Sequence, residues 1–183
     1  MFEPDFSEFP EIKTSRLLLR KIVMPDAGEI FLLRSNEKVM RYIDRERAIT
    51  VADAEIFIDR INSSLDLNEG ITWAIALKEE PQTLIGSIGF WRLEKEHYRA
   101  EVGYMLNPLK WNKGIMKEAL LTVLNFAFDE MKLHSIEAHI NPENTASAKL
   151  LQATGFVQEA YFKENFFFKG VFRDTAIFSR LKK

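Results

Sequence analysis

The sequence predicts a mixed α/β domain, built on one predominantly antiparallel sheet of about seven strands with helices on both faces. Three observations carry that reading. Between residues 71 and 106 three strand-like runs follow one another with only short turns between them, as in an antiparallel meander. From Ile115 to Met131 apolar residues recur at helical spacing and form a broad face that needs a sheet to cover it. A strand, a short helix and a hairpin then close the chain.

Taken in order, residues 1–12 hold two prolines, three phenylalanines and four acidic residues, and read as an arm laid over the body rather than as part of the sheet. The aliphatic run SRLLLRKIV, ending at Val23, is a strand with one buried face. Pro25 and Asp26 start a helix over AGEIFLLRS, and a second short helix covers EKVMRYI. Thr50 with Asp53 forms a capping box ahead of Ala54, Phe57, Ile58, Ile61 and Leu65, which mark an amphipathic helix that Gly70 ends. The meander is ITWAIALK, TLIGSIGFWRL and RAEVGYML. After the long helix, SIEAHIN alternates as a strand, TASAKLLQAT is a helix stopped by Gly155, and VQEAYFKENFFFKG with FRDTAIFSRL forms the hairpin. With the short helix over EKVMRYI set aside, the order is β, α, α, β, β, β, α, β, α, β, β. In such a sheet a ligand fits best beyond the strand end that feeds the helix at Gly114.

A chain of 183 residues, 46% of them hydrophobic, suits one core, so a single domain over 13–183 is expected behind the arm. Absence of cysteine excludes a disulfide framework, a thiolate nucleophile and a Cys-based zinc site. His97, His134 and His139 show no metal-ligand spacing, so no metal is expected. Lys plus Arg number 25 against 27 Asp plus Glu, with no dense basic cluster, which argues against direct nucleic-acid binding. No basic leader and no long apolar run occur, so a cytoplasmic protein without a membrane segment is expected.

Two segments carry chemistry. The first, Trp111-Asn112-Lys113-Gly114-Ile115-Met116, lies between a strand and the long helix. Read alone it is an ordinary connection, but a helix mouth leaves N–H groups unpaired and carries about half a positive charge, so it attracts anions. The spacing is not that of a nucleotide P-loop. In the second, Asn144 and Ser147 open a short helix, where Asn144 alone reads as an N-cap and Ser147 as helix filler.

Together, EVGYML, WNKGIM with KEALLTVLNFAF, SIEAHIN and the N-x-x-S…GF helix resemble the core of the GNAT acyltransferases. RLLLR near residue 16, IGFW at 88–91 and the Gly170–Asp174 spacing resemble the RimJ/RimL-type branch, the N-terminal acetyltransferases of ribosomal proteins. That resemblance implies a GNAT fold with a splayed central strand pair and acetyl-CoA as cosubstrate. The CoA pyrophosphate would sit on the amides of Trp111 to Met116, with Gly114 allowing close approach and Lys113 and Lys117 adding positive potential. Met105 and Leu106 would offer backbone groups to the pantetheine arm, and Asn144 would reach the cofactor from the other side. Trp111 replaces the family's Gln or Arg, and Met116 stands where a small residue is usual, which is compatible only if its side chain turns to the core.

Direct transfer to an amine needs a neutral amine, an oxyanion donor and a proton for the thiolate. An α-amino group, with an ordinary pKa near 7.7–8.0, is partly neutral at pH 7, so a protein N-terminus is the expected acceptor. Glu101 on EVGYML is the candidate base, or else an ordinary salt-bridged strand carboxylate; Glu164 is a second candidate, although the matching hairpin position holds Phe166. The tyrosine that many members use as acid is replaced by Leu151. Ser147 is then implied as the thiolate's partner, with Tyr161 a distant substitute, and the Leu106 N–H as oxyanion donor. Tyr42, Ile43, Trp73, Trp91 and the phenylalanines at 166–168 are candidates for acceptor selection or for core. A small-amine acetyltransferase and a silent acyl-CoA-binding module are the alternatives, and the protein is expected as a monomer or homodimer.

Overall fold

The computed structural model describes residues 3–182. The outer bounds of the expected arm and domain, residues 1, 2 and 183, lie outside the described residues. β1 (Ile12–Lys13), β2 (Leu17–Lys21), β3 (Ile71–Leu77), β4 (Gly86–Glu94), β5 (Arg99–Leu106), β6 (Ser135–Ile140), β7 (Val157–Phe168) and β8 (Val171–Leu181) form one sheet, ordered β1-β2-β3-β4-β5-β6-β8-β7. β5 and β6 pair in parallel. The other neighbours are antiparallel.

The helices are α1 (Ala27–Ser35), α2 (Glu37–Met40), α3 (Val51–Asp66), α4 (Ile115–Asp129) and α5 (Thr145–Ala153). The sheet has eight strands rather than seven because Ile12 and Lys13 pair with Leu19 and Leu18. The arm thus ends in the sheet. Its apolar residues explain why: Phe6 is buried, Phe9 packs edge-on against Trp73, and the Pro10 carbonyl accepts from Trp73 Nε1 at 2.7 Å.

Each face of the sheet has its own core. On one side α1 and α3 bring Ile30, Leu33, Ala54 and Ile58 against Ile22, Ala74 and Leu84. On the other, the expected apolar face of α4 and the Leu151 and Phe156 region cover Leu19, Ile75, Ile88, Val102, Ile136 and Phe178. Asp53 caps α3 as the sequence predicts, its carboxylate accepting from Thr50 N–H at 2.8 Å. β2, the start of α1 and the β3–β4 turn are joined by a buried pair. Arg20 Nη2 lies 2.7 Å from Asp26 Oδ1, Nη1 lies 2.8 Å from Oδ2, and the remaining donors reach the carbonyls of Lys21, Pro81 and Gln82.

Strand alternation decides what β5 offers to each side. Ala100, Val102, Tyr104 and Leu106 belong to the α4 side. Glu101, Gly103 and Met105 therefore turn to the other, where α1 and α3 cover β2 to β4 and where Glu101, Gly103, Glu137 and His139 are half-buried.

Candidate active site

β5 and β6 pair only at Arg99–Ser135, Ala100–Ile136 and Glu101–Glu137. Beyond Glu101, β5 stays with β4 as far as Leu106–Gly86, while β6 stays with β8 as far as Ile140–Ala176. Each strand follows its outer neighbour, so the sheet splits. The Asn107 N–H donates to the Ile85 carbonyl at 2.8 Å, which makes Leu106–Gly86 a pair without mutual hydrogen bonds. Such pairs alternate, so the peptide groups of Met105 turn to Ser87 on β4, whereas those of Tyr104 and Leu106 turn to the gap. The backbone surface expected from Met105 and Leu106 is therefore supplied by Tyr104 and Leu106.

The loop beyond β5 is pinned by its tryptophan, since Trp111 Nε1 donates to the Leu106 carbonyl at 2.8 Å. Asn112 (φ 58°) and Gly114 (φ 73°) are both left-handed, and the second reversal leads straight into α4. Asn112, Lys113, Gly114 and Lys117 are exposed. The first helical bond is from Glu118 N–H to the Gly114 carbonyl, 3.0 Å, so the amides of Ile115, Met116 and Lys117 have no helical partner, and Gly114 provides no side-chain cap. Ile115 and Met116 are buried with the core, so the Met116 side chain leaves those amides uncovered.

Sequence reasoning missed Arg16 here. Its Nη1 donates to the Lys113 carbonyl at 2.9 Å and its Nη2 lies 2.7 Å from Glu118 Oε2, tying β2 to the mouth of α4. Burial works to raise Glu118, but hydrogen bonds from Thr14, Arg16 and Ser15 outweigh it and hold the carboxyl at about 2. The arginine was visible in RLLLR; its partner 102 residues further on was not.

At the α5 end, Asn144 Oδ1 accepts the Ser147 N–H at 3.1 Å, so it is an N-cap, and only its amide nitrogen is left for a ligand. Ser147 is buried, and its hydroxyl lies 2.7 Å from the Tyr104 hydroxyl, bridging β5 and α5 across the gap. Burial pushes the Tyr104 phenol up to about 12 against the opposing effect of the Ser147 hydrogen bond, so it keeps its proton at neutral pH. Leu151, on α5, is fully buried, and the phenol that meets Ser147 comes instead from Tyr104 on β5.

Other expected residues disperse. Glu101 lies on the opposite face from Ser147 and pairs with Arg92 Nη1 at 2.8 Å. Trp73 is core, meeting Phe9, Phe90 and Phe126 edge-on. The Tyr161 hydroxyl and the Glu164 N–H both donate to Asp174, which locks the hairpin instead of reaching Ser147. Trp91 lies over Gly103, where a Cβ would fall 1.6 Å from indole Cη2. Ile43 and Phe168 share a cleft between the α2 region and the hairpin. Among the described residues no group of three His, Cys, Asp or Glu is placed to hold a metal ion.

A split sheet beside an open helix mouth is the architecture of an acyltransferase. Residues 16–157 match the Acetyltransferase (GNAT) domain family, and the chain belongs to it. The protein is therefore an N-acetyltransferase. It is 34% identical to "Uncharacterized N-acetyltransferase YoaA" of Bacillus subtilis, over 95% of this chain and 98% of that one. It superposes on a GNAT acetyltransferase from Bacillus anthracis with TM-score 0.83 and 32% identity, over 94% and 98% of the two chains. Relatives with stated acceptors fall into two classes. A spermidine N-acetyltransferase from Vibrio cholerae, solved with CoA and spermine, has TM-score 0.80 and 25% identity over 92% and 96% of the chains. The "[Ribosomal protein uS5]-alanine N-acetyltransferase" of Escherichia coli is 29% identical over 54% of this chain and 51% of that one.

Proposed function

We propose that the protein transfers the acetyl group of acetyl-CoA to the α-amine of a polypeptide, as the RimJ/RimL-type resemblance implies. The observation that carries this reading is the backbone of Tyr104 and the Leu106 N–H, turned to the gap beside the uncapped start of α4, while the Leu106 carbonyl is taken by Trp111. A pantetheine arm is an extended chain of amides that fits beside a strand edge, and a pyrophosphate is the anion that a free helix mouth accepts. Bound acetyl-CoA supplies an activated acyl group with a thiolate leaving group. The chain's own residues do the rest. Ile115, Met116 and Lys117 donate amides, while Lys113 and Lys117 add charge. Leu106 N–H is the donor to the developing oxyanion. Tyr104 and Ser147 hold a proton where the sulfur leaves.

Charge favours a peptide over a polyamine. Around the α2 and hairpin cleft, Arg41, Arg45, Arg47, Lys169 and Arg173 outnumber Glu37, Asp44 and Glu46, even with Arg173 paired to Asp44 and Lys169 to Glu46. On the face of β5 and β6 away from α4, Glu101 and Glu137 are already matched by Arg92 and Arg99. A polycation meets no surplus of carboxylates there. The test is CoA release with a panel of acceptors. Turnover is expected with Ala- or Ser-starting peptides and not with spermidine or spermine; the reverse pattern removes the peptide reading and leaves a small-amine acetyltransferase. CoA binding by calorimetry without turnover on any amine leaves the silent binding module.

A further inference from the structure

On the face of the sheet away from α4, where β5 and β6 part, His139 and Glu137 lie side by side. Glu137 is paired directly across from Glu101, the last rung before the split, and His139, two residues further along β6, lies on the same face and lines the same small cavity as Glu101 and Arg92. His139 is part buried, and its Nε2 lies 3.1 Å from Glu137 Oε2, while Arg99 Nη1 holds the other oxygen, Oε1, at 3.0 Å. A carboxylate accepts and does not donate, so Nε2 carries the proton in this pair and Nδ1 is the basic nitrogen. The other charged groups of this face are already matched: Glu101 with Arg92 from β4, and Glu94 with Arg99. From β8, on the far side of His139, the facing residue is the apolar Ile177.

We infer that His139, oriented by Glu137, is the base that receives the proton of the acceptor amine. The inference rests on the acetyl-transfer reading above and adds a role for a side chain that reading leaves unused. Attack forms the amide C–N bond and breaks the C–S bond. The sulfur leaves with the electron pair and takes the proton that Tyr104 and Ser147 hold on the opposite side of the sheet. The nitrogen gives up its extra proton to His139 Nδ1, so one proton is gained on this face and one is lost on the other. Separate faces keep acid and base from neutralising each other. Glu101 is the less suitable base, because one of its two oxygens is held by a guanidinium.

The test is the pH profile of kcat at saturating acetyl-CoA and acceptor peptide, for the native protein, His139→Gln and Glu101→Gln. Gln can keep the hydrogen bond to Glu137 but cannot take a proton. Expected for His139→Gln is a kcat about 100-fold lower at pH 7, the size usual for a lost general base, with CoA affinity and melting temperature unchanged. The native acid limb, set by an imidazole that must be neutral to act, disappears in that variant. Free imidazole is expected to restore activity to His139→Ala. A kcat for His139→Gln within threefold of native overturns the inference. So does a loss that tracks CoA affinity or melting temperature, or an acid limb removed by Glu101→Gln and kept in His139→Gln. Native protein inactive on every amine removes the transferase reading and this inference together.

Discussion

Tyr104 shows how one side chain changes role between sequence and space. In EVGYML it is one inward residue of a strand, yet burial, outweighing the Ser147 hydrogen bond, makes it a phenol that stays protonated at neutral pH. Tyr104→Phe keeps the ring and removes the hydroxyl, leaving Ser147 without its partner. We expect kcat to fall about 10- to 100-fold with CoA affinity retained, measured by CoA release and calorimetry. Glu118 makes a second prediction at this scale, and its sign is fixed. Its folded value of about 2 lies below the ordinary carboxyl value of about 4.3, so its stabilising effect is full above that value and is lost as pH falls toward 2. Acid unfolding of Glu118→Gln, followed by circular dichroism, should therefore depend less on pH than that of the native protein between about 4.5 and 2.

The first turn of α4 works as a unit because Gly114 turns into it with φ 73°. Space is not what excludes a side chain there, since the nearest atom to an added Cβ is Arg16 Nη2 at 3.5 Å. The backbone angle is. Gly114→Val should cost about 1–2 kcal/mol of stability and weaken CoA binding, read by melting temperature and calorimetry, because a branched residue drives the turn out of the left-handed region. β5 depends on glycine for a different reason. Gly103→Ala places a methyl where the Trp91 indole now lies, and since Trp91 is half exposed, the ring can swing away without unfolding the sheet. The expected result is a shifted tryptophan emission and a raised KM for the acceptor, with CoA affinity kept.

At the scale of the molecule, Arg20 and Asp26 clamp the α1 side of the sheet to its edge strands. The pair is buried and every donor has a partner, so removing one member leaves an uncompensated charge. Asp26→Ala should cost about 3–5 kcal/mol, lowering the melting temperature by about 10 °C in a scanning denaturation experiment. The candidate site is built on β5, β6 and the mouth of α4, to none of which this pair is hydrogen-bonded. A variant that still folds should therefore keep its affinity for CoA.

Periodicity and turn residues were enough to place nearly every strand and helix, because burial of one face imposes a two- or 3.6-residue repeat that a single chain displays. The bounds of β5 and the helix start at Ile115 are read from the sequence alone, as are the exposed lysines and glycine of the loop. What the tertiary structure decided is everything that depends on two distant segments meeting. Past the split β5 stays with β4 and β6 with β8, and no local pattern encodes which neighbour each strand follows. The same holds for Arg16 on Glu118, Tyr104 on Ser147, and the choice of Leu106 and Tyr104 over Met105 to face the gap. Residue types and repeats are properties of one segment; hydrogen-bond phase, proton-holding pairs and clefts belong to pairs of segments and appear only once the chain has closed on itself.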